Sequence, residues 1–432
     1  MINHNNGILK NQLNDFIVKE KINFSFSHKF HFKFINSKDL LINNLSNILS
    51  KSDEFKNKNL FLFFILKKEN VTIFNVLLRL SKILKIPIKD FFFLGEKDKY
   101  AITYQSLFIK VNLDSIKKII NEFIENFNQN LEITSYNNDF NLSFVGIVYS
   151  SLDSLKDLLV GNEFFITIRK IPIEFENILI KRLEFLKNNY LPNYYDIQRF
   201  GKRLINHIIG LALNNKMYYE ATYLLLCVYS NNENSKVKSK RKKIKELLLN
   251  NNINEVKDLK LPQYMDLEKV FLSILLKERN YKRAWKNFPY KFTSIFKDSY
   301  NSFIFNYKLL TLLKQQNNLY NIIAKKIDLK IPQEDKNFIN ENIISKINNK
   351  EIKEIFQNWD NFEYLFYYDL NYKKFNVDNA KYEGYRDYFI KPILKYYKLL
   401  DDDIFNGYKK LEISFYLPKG SFATNLFYYL LN

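Results

Sequence analysis

Asp98 stands between Lys97 and Lys99 in the stretch Gly95-Glu96-Lys97-Asp98-Lys99-Tyr100-Ala101-Ile102-Thr103-Tyr104-Gln105. A glycine and four charges there interrupt two apolar runs, Phe91-Phe92-Phe93-Leu94 and residues 106–111. A carboxylate at such a turn, with cations beside it, can serve as an acid, a base or a nucleophile. The bland alternative is a solvated loop aspartate, which charged turns commonly carry. Sulfur and imidazole offer less. The single cysteine, Cys227, lies in an apolar helix-like run at residues 221–228, where a buried structural thiol is expected. The four histidines, His4, His28, His31 and His207, show no metal-ligand spacing. His28 and His31 fall in an alternating run, so a strand there turns them to opposite faces.

The elements around Asp98 are read from periodicity. In the first 200 residues, short apolar runs suggest strands at 16–21, 24–34, 60–66, 91–94, 102–111, 142–148 and 164–169. Helical spacing appears at 72–84 and 113–127. This mixture predicts an α+β domain built on a largely antiparallel sheet. The texture then changes. No glycine occurs between Gly210 and Gly384, and amphipathic helical runs appear at 218–229, 244–249, 267–276 and 303–313. Residues 411–417 read as a late strand, followed by a turn and a short terminal helix. The expectation is a discontinuous catalytic domain, 1–208 and 375–432, interrupted by a mostly helical insertion domain, 209–374.

Composition sets outer limits. A chain of 432 residues has room for two or three domains. The 40 Phe and 30 Tyr against 9 Gly and 8 Pro fit the residue bias of an AT-rich genome better than a functional aromatic surface. A net charge of +20 suits a polyanionic partner, because phosphate neutralisation drives both affinity and association rate. The sharpest basic feature is Lys236 to Lys245, where seven of ten residues are Lys or Arg; it reads as a solvated loop-to-helix junction able to touch RNA backbone. No apolar run reaches membrane-span length and no signal-peptide core opens the chain, so a soluble cytoplasmic protein is expected.

The Asp98 segment resembles the G-x-K-D-[KR]-x-A-x-T-x-Q signature of TruD-type tRNA pseudouridine synthases, matching every fixed position. Four further segments follow in the family's order. Gly7-Ile8-Leu9-Lys10 with Asn14-Asp15-Phe16-Ile17-Val18-Lys19-Glu20 resembles G-x-[IL]-K…[DE]-D-F-x-V-x-E. Gly161-Asn162-Glu163-Phe164-Phe165-Ile166-Thr167-Ile168-Arg169 resembles G-N-x-F-x-[IL]-x-[IL]-R. Pro192-Asn193-Tyr194-Tyr195-Asp196-Ile197-Gln198-Arg199-Phe200-Gly201 resembles P-N-[YF]-[FY]-G-x-Q-R-F-G. Leu417-Pro418-Lys419-Gly420-Ser421-Phe422-Ala423-Thr424 resembles L-P-x-G-S-[FY]-A-T.

The resemblance implies an isomerase that converts a uridine of tRNA, uridine 13, to pseudouridine. That reaction exchanges nothing with a second substrate, so it implies no cofactor and no metal. The expected partner is tRNA, with no membrane, and the expected state is a monomer. Asp98 is implied as the catalytic aspartate, either attacking C1′ or removing the C2′ proton. Lys10 is the implied cation beside it, opposing the rise in pKa that burial brings. Phe16, Tyr195 and Phe422 are implied to line the uridine pocket, and Asn193 to meet the uracil edge. Lys97 and Lys99 are read as phosphate contacts or solvated. Gln198 and Arg199 are read as braces. Asp196 stands where the family carries glycine, and Leu13 where it carries proline. The family's lysine after the strand at 60–66 matches either Lys67 or Lys68. The alternative is a non-catalytic tRNA-binding protein or RNA chaperone on the same scaffold.

Overall fold

Short runs rich in Phe, Leu and Ile, bounded by polar turns, suit strands covered on one or both faces. The computed structural model describes residues 2–23, 31–34, 59–111, 122, 125, 126, 128, 131–150, 152–262, 265–315, 323–327, 330–360, 362–367 and 386–432. Two compact units emerge. Unit 1 comprises Met1–Leu191, Ile390–Ala423 and Leu430–Asn432; unit 2 comprises Pro192–Phe389 and Thr424–Tyr429.

Unit 1 carries a sheet of strands β1 (Ile2–His4), β2 (Gly7–Leu9), β3 (Phe16–Ile22), β4 (His31–Phe34), β5 (Asn59–Glu69), β6 (Phe91–Phe93), β7 (Ile102–Val111), β8 (Glu132–Thr134), β9 (Phe140–Ser150), β10 (Leu159–Ile171), β11 (Ile393–Asp401) and β12 (Lys409–Pro418). Its main path runs β1-β2-β10-β3-β7-β5-β9-β4; β6 joins β7, β8 joins β9, and β12 bridges β10 and β11. The β3–β7 pair is parallel and the other described pairs are antiparallel. The late strand thus rejoins the early sheet, with Gly161 opposite Pro418. A Cβ at Gly161 would lie 2.3 Å from the Leu417 carbonyl oxygen, so only glycine permits that approach.

Strand β5 is buried on both faces over residues 60–64. Leu60, Leu62, Phe64 and Leu66 join a core with the helix Ile73–Ile83, while Phe61 and Phe63 face Phe108 and Val148. That helix begins where the Thr72 hydroxyl accepts the Asn75 N–H. Strands β1, β2 and β11 and the helix Glu176–Asn188 add to the elements expected from periodicity. Of the run 24–34 only β4 is described, so His28 lies outside the described residues. Most of the expected helix at 113–127 lies outside them too.

Unit 2 is mostly helical. Its core gathers the helices Asn206–Asn214, Tyr218–Leu226, Ser235–Leu249, Asp266–Glu278 and Tyr290–Gln315. The basic run is helical throughout, not a junction. Val237, Arg241, Ile244, Leu247 and Leu248 turn one face inward. Arg241 is buried and donates to Glu268 Oε1 at 2.6 Å and to the Leu225 carbonyl at 2.9 Å. His207 is fully buried, stacks on Phe303 at 4.3 Å and lies 3.2 Å from the Trp359 carbonyl; burial pushes its pKa down to about 3. Cys227 is buried, which pushes its thiol pKa up. Both are core groups.

The unit boundaries fall at 191/192 and 389/390, against the expected 208/209 and 374/375. The difference has a local cause. Tyr194 packs with Phe305, Leu309 and Phe389, and the Asn193 N–H donates to the Tyr388 carbonyl, so residues 192–201 fold with unit 2. Among the described residues, no helix is long and apolar enough to cross a membrane.

Candidate active site

In unit 1 the loop between β6 and β7 holds Asp98. Lys10 follows β2 with a left-handed backbone, φ +56°, uncommon for a residue with a side chain. Its Nζ sits 2.5 Å from Asp98 Oδ2 and 4.1 Å from the centre of the Phe16 ring. The Lys10 side chain is 11% exposed and that of Asp98 is 56% exposed. A shielded ammonium thus backs a carboxylate that solvent and solutes reach.

Other residues fix this turn. The Asp15 carboxylate accepts the Gln12 N–H at 2.7 Å and Arg169 Nε at 2.9 Å. Arg169, on β10, also meets Asp402 at 3.3 Å and Asp403 at 2.9 Å. Two of the motifs therefore meet in one charge network, buried at Asp15, Arg169 and Asp402.

The Asp98 loop is anchored from below. Lys97 Nζ pairs with Glu20 Oε1 at 2.6 Å, both side chains largely buried, and Glu20 Oε2 accepts the Ser106 N–H at 2.7 Å. Lys97 is thus an internal brace, not a phosphate contact. Lys99 is exposed. Lys68 is fully buried, and its Nζ donates to the Asp98 carbonyl at 2.7 Å. Lys67 turns outward and pairs with Glu69. Phe422 is half-buried and follows the Gly420 turn, φ +81°, where β12 gives way to the helix Ala423–Leu431.

In unit 2 the segment 192–201 forms its own network. Asn193 is 2% exposed. Its Nδ2 donates to the Asp387 carbonyl at 3.0 Å, and its Oδ1 accepts Arg386 Nη2 at 2.7 Å. The Arg386 guanidinium lies 3.8 Å from the centre of the half-buried Tyr195 ring. Burial pulls the Arg386 pKa down to about 10. Asp196 adopts φ −63°, an ordinary value for any residue, and caps the short helix Ile197–Phe200 by accepting the Gln198 N–H at 3.0 Å. No glycine is needed there. One is needed at Gly201, φ +76°, where a Cβ would collide with the Asn206 side chain at 2.6 Å. Arg199 donates to Ser302 at 3.2 Å, as a brace does.

The fold thus brings Lys10, Phe16 and Asp98 into contact within unit 1, and places Asn193 and Tyr195 together in unit 2. Glu20, Arg169 and Arg386 are absent from the candidate residues read from sequence, and Lys68 enters only as one of two lysines, with Lys67, that match the family's pattern. Lys68 had a signal: it continues the alternation Leu60, Leu62, Phe64, Leu66 on the buried face. Arg386 had none.

Comparison with known proteins places this chain in a lineage. Residues 3–368 match the family model of tRNA pseudouridine synthase D (TruD). The "Probable tRNA pseudouridine synthase D" of Nanoarchaeum equitans is 30% identical over 425 residues, covering 96% of each chain. That of Methanococcus maripaludis strain C5 is 27% identical over 372 residues, covering 84% of this chain and 83% of its own. A crystal structure titled "Putative tRNA pseudouridine synthase D (TruD)" from Methanosarcina mazei shares the fold, with a TM-score of 0.56 and 21% identity, over 99% of this chain and 94% of that one. With its α+β architecture and the family model spanning most of its length, the chain belongs to the TruD family of tRNA pseudouridine synthases, which are isomerases.

Proposed function

We propose that this enzyme converts a uridine of tRNA, uridine 13, to pseudouridine, with Asp98 as catalytic carboxylate, Lys10 as its counter-cation and unit 1 as the catalytic unit. The observation that carries the reading is the Lys10–Asp98 pair, with the ammonium shielded and the carboxylate open.

The reaction needs the uridine out of its stack, which costs a few kcal/mol. The N1–C1′ bond then breaks and a C5–C1′ bond forms; C5 gives up a proton and N1 gains one, so atoms balance. Asp98 acts at the ribose, by attack on C1′ or removal of the C2′ proton. Either role needs the carboxylate ionised, and Lys10 favours that form. The Phe16 ring seats the Lys10 amine. Phe422 and Tyr195 are proposed to support the base, each contributing about 1–3 kcal/mol by stacking. Asn193 is proposed to read the uracil edge, which requires its amide to exchange Arg386 and Asp387 for substrate.

Pseudouridine mapping of tRNA treated with the wild-type enzyme and with Asp98→Asn tests the reading. We expect modification at uridine 13 with the first and none with the second, while tRNA binding persists. Binding without modification by the wild type would instead favour the chaperone alternative.

A further inference from the structure

We propose that Lys68 is a positioning residue of the reaction: its buried ammonium holds the backbone at Asp98 so that the carboxylate stays aimed at substrate. The proposal rests on Asp98 being the catalytic carboxylate.

Lys68 ends the apolar face of β5 and is 0% exposed. Burying an ammonium is costly unless partners replace its water. Its partners are the Asp98 carbonyl at 2.7 Å and the Lys97 carbonyl at 3.4 Å, both in the catalytic loop. Among the described residues, no carboxylate oxygen lies within ion-pair distance of it. The cation is thus committed to loop backbone, and the residue it grips most closely is the one that carries the reacting oxygen.

The floor around it is polar as well. Thr103 pairs with Lys68 across the strands, and Gln105 pairs with Leu66. The Thr103 hydroxyl and both ends of the Gln105 amide are buried without a protein partner. Such groups are seats for ordered water, so part of the floor beside Lys68 is polar.

The charged groups acting on Lys68 are Asp98, Lys97 and Glu96 from the loop and Lys10 from the turn after β2. Burial is the largest influence and lowers its pKa to about 8. Below that value the ammonium makes charge-assisted hydrogen bonds to the loop carbonyls. Above it the amine is neutral and the hold weakens. Turnover is therefore expected to decline on the alkaline side.

Steady-state and single-turnover kinetics on tRNA, across pH, test this with Lys68→Met, Lys67→Met and Asp98→Asn. Lys68→Met is expected to lower kcat about 100-fold, the scale of a small misplacement of a reacting group, and to lose the alkaline limb. Its KM is expected to stay within about threefold, because Lys68 holds the reacting carboxylate and is proposed to make no contact with the tRNA. Lys67→Met is expected to match wild type. Wild-type kcat in Lys68→Met, or an unchanged alkaline limb in it, overturns the proposal. Should Lys68→Met fail to fold, Lys68→Gln decides on folded protein: kcat lowered at least about tenfold with KM nearly unchanged supports the proposal, and wild-type kcat overturns it. Activity in Asp98→Asn would sink the underlying reading; an inactive Asp98→Asn beside a normal Lys68→Met sinks the Lys68 role alone.

Discussion

The Asp98 loop of unit 1 and the 192–201 segment of unit 2 are both family motifs, yet they treat polar groups in opposite ways. Around Asp98 three cations are shielded and the anion is open: Lys10, Lys68 and Lys97 are held by protein, while the Asp98 carboxylate is 56% exposed. Around Asn193 the circle is closed. Amide, guanidinium and backbone carbonyls satisfy one another, and Asn193 is 2% exposed. A carboxylate left partly open against a fixed cation is available for chemistry. A closed amide network holds a neighbouring ring in its orientation until substrate opens it. The contrast predicts that damage to the first motif appears in kcat, and damage to the second appears first in stability.

Four measurements press on that contrast. The largest effect belongs to Asp98→Asn, expected to lower kcat by about 10⁴-fold, the scale seen when a carboxylate is taken from a catalytic constellation. Its folding stability is expected to change by less than about 1 kcal/mol, as for an exposed group. A large loss of stability there would erase the distinction between the two motifs. Lys10→Met is next, with kcat falling about 100-fold as the counter-cation disappears and tRNA affinity nearly unchanged; normal turnover would remove the ion pair from the mechanism. Arg386→Met should cost about 2–4 kcal/mol in urea unfolding, since it leaves Asn193 Oδ1 and the Asn193 carbonyl unpaired. A change in kcat with unaltered stability would show that the second motif is no mere frame. The smallest effect concerns pH. Lys68 has a folded pKa near 8 against an ordinary 10.5. Between these values the unfolded chain binds more protons than the folded one, so Lys68 makes folding stability rise with pH. Activity is expected to fall across the same window. Parallel movement of the two would contradict the separation of roles.

Several elements were legible because periodicity reports burial directly. Strand β7 is legible with its observed bounds, β3, β5 and β9 to within three residues at each end, and β10 to within five. The helical character of unit 2 followed from the missing glycines and the amphipathic runs. The basic run was misjudged because its charges outnumber its apolar residues, yet Val237, Ile244, Leu247 and Leu248 sit at helical spacing. Lys97 was misjudged for another reason. Its partner Glu20 lies on β3, and no local pattern announces a pair 77 positions apart.

What the sequence determined by itself was the set of chemical groups and their local geometry: a carboxylate in a charged turn after a strand, a lysine ahead of a buried aromatic, an asparagine in a tight polar segment. Local propensity and side-chain alternation act over a few residues, so they are written along the chain. Only the tertiary structure decided which cation meets which carboxylate, that Lys68 faces inward to grip the Asp98 carbonyl, and that Arg386 closes around Asn193. Those pairings depend on strand order and on the cost of burying an unpartnered charge, and both are set by contacts between segments far apart in the chain.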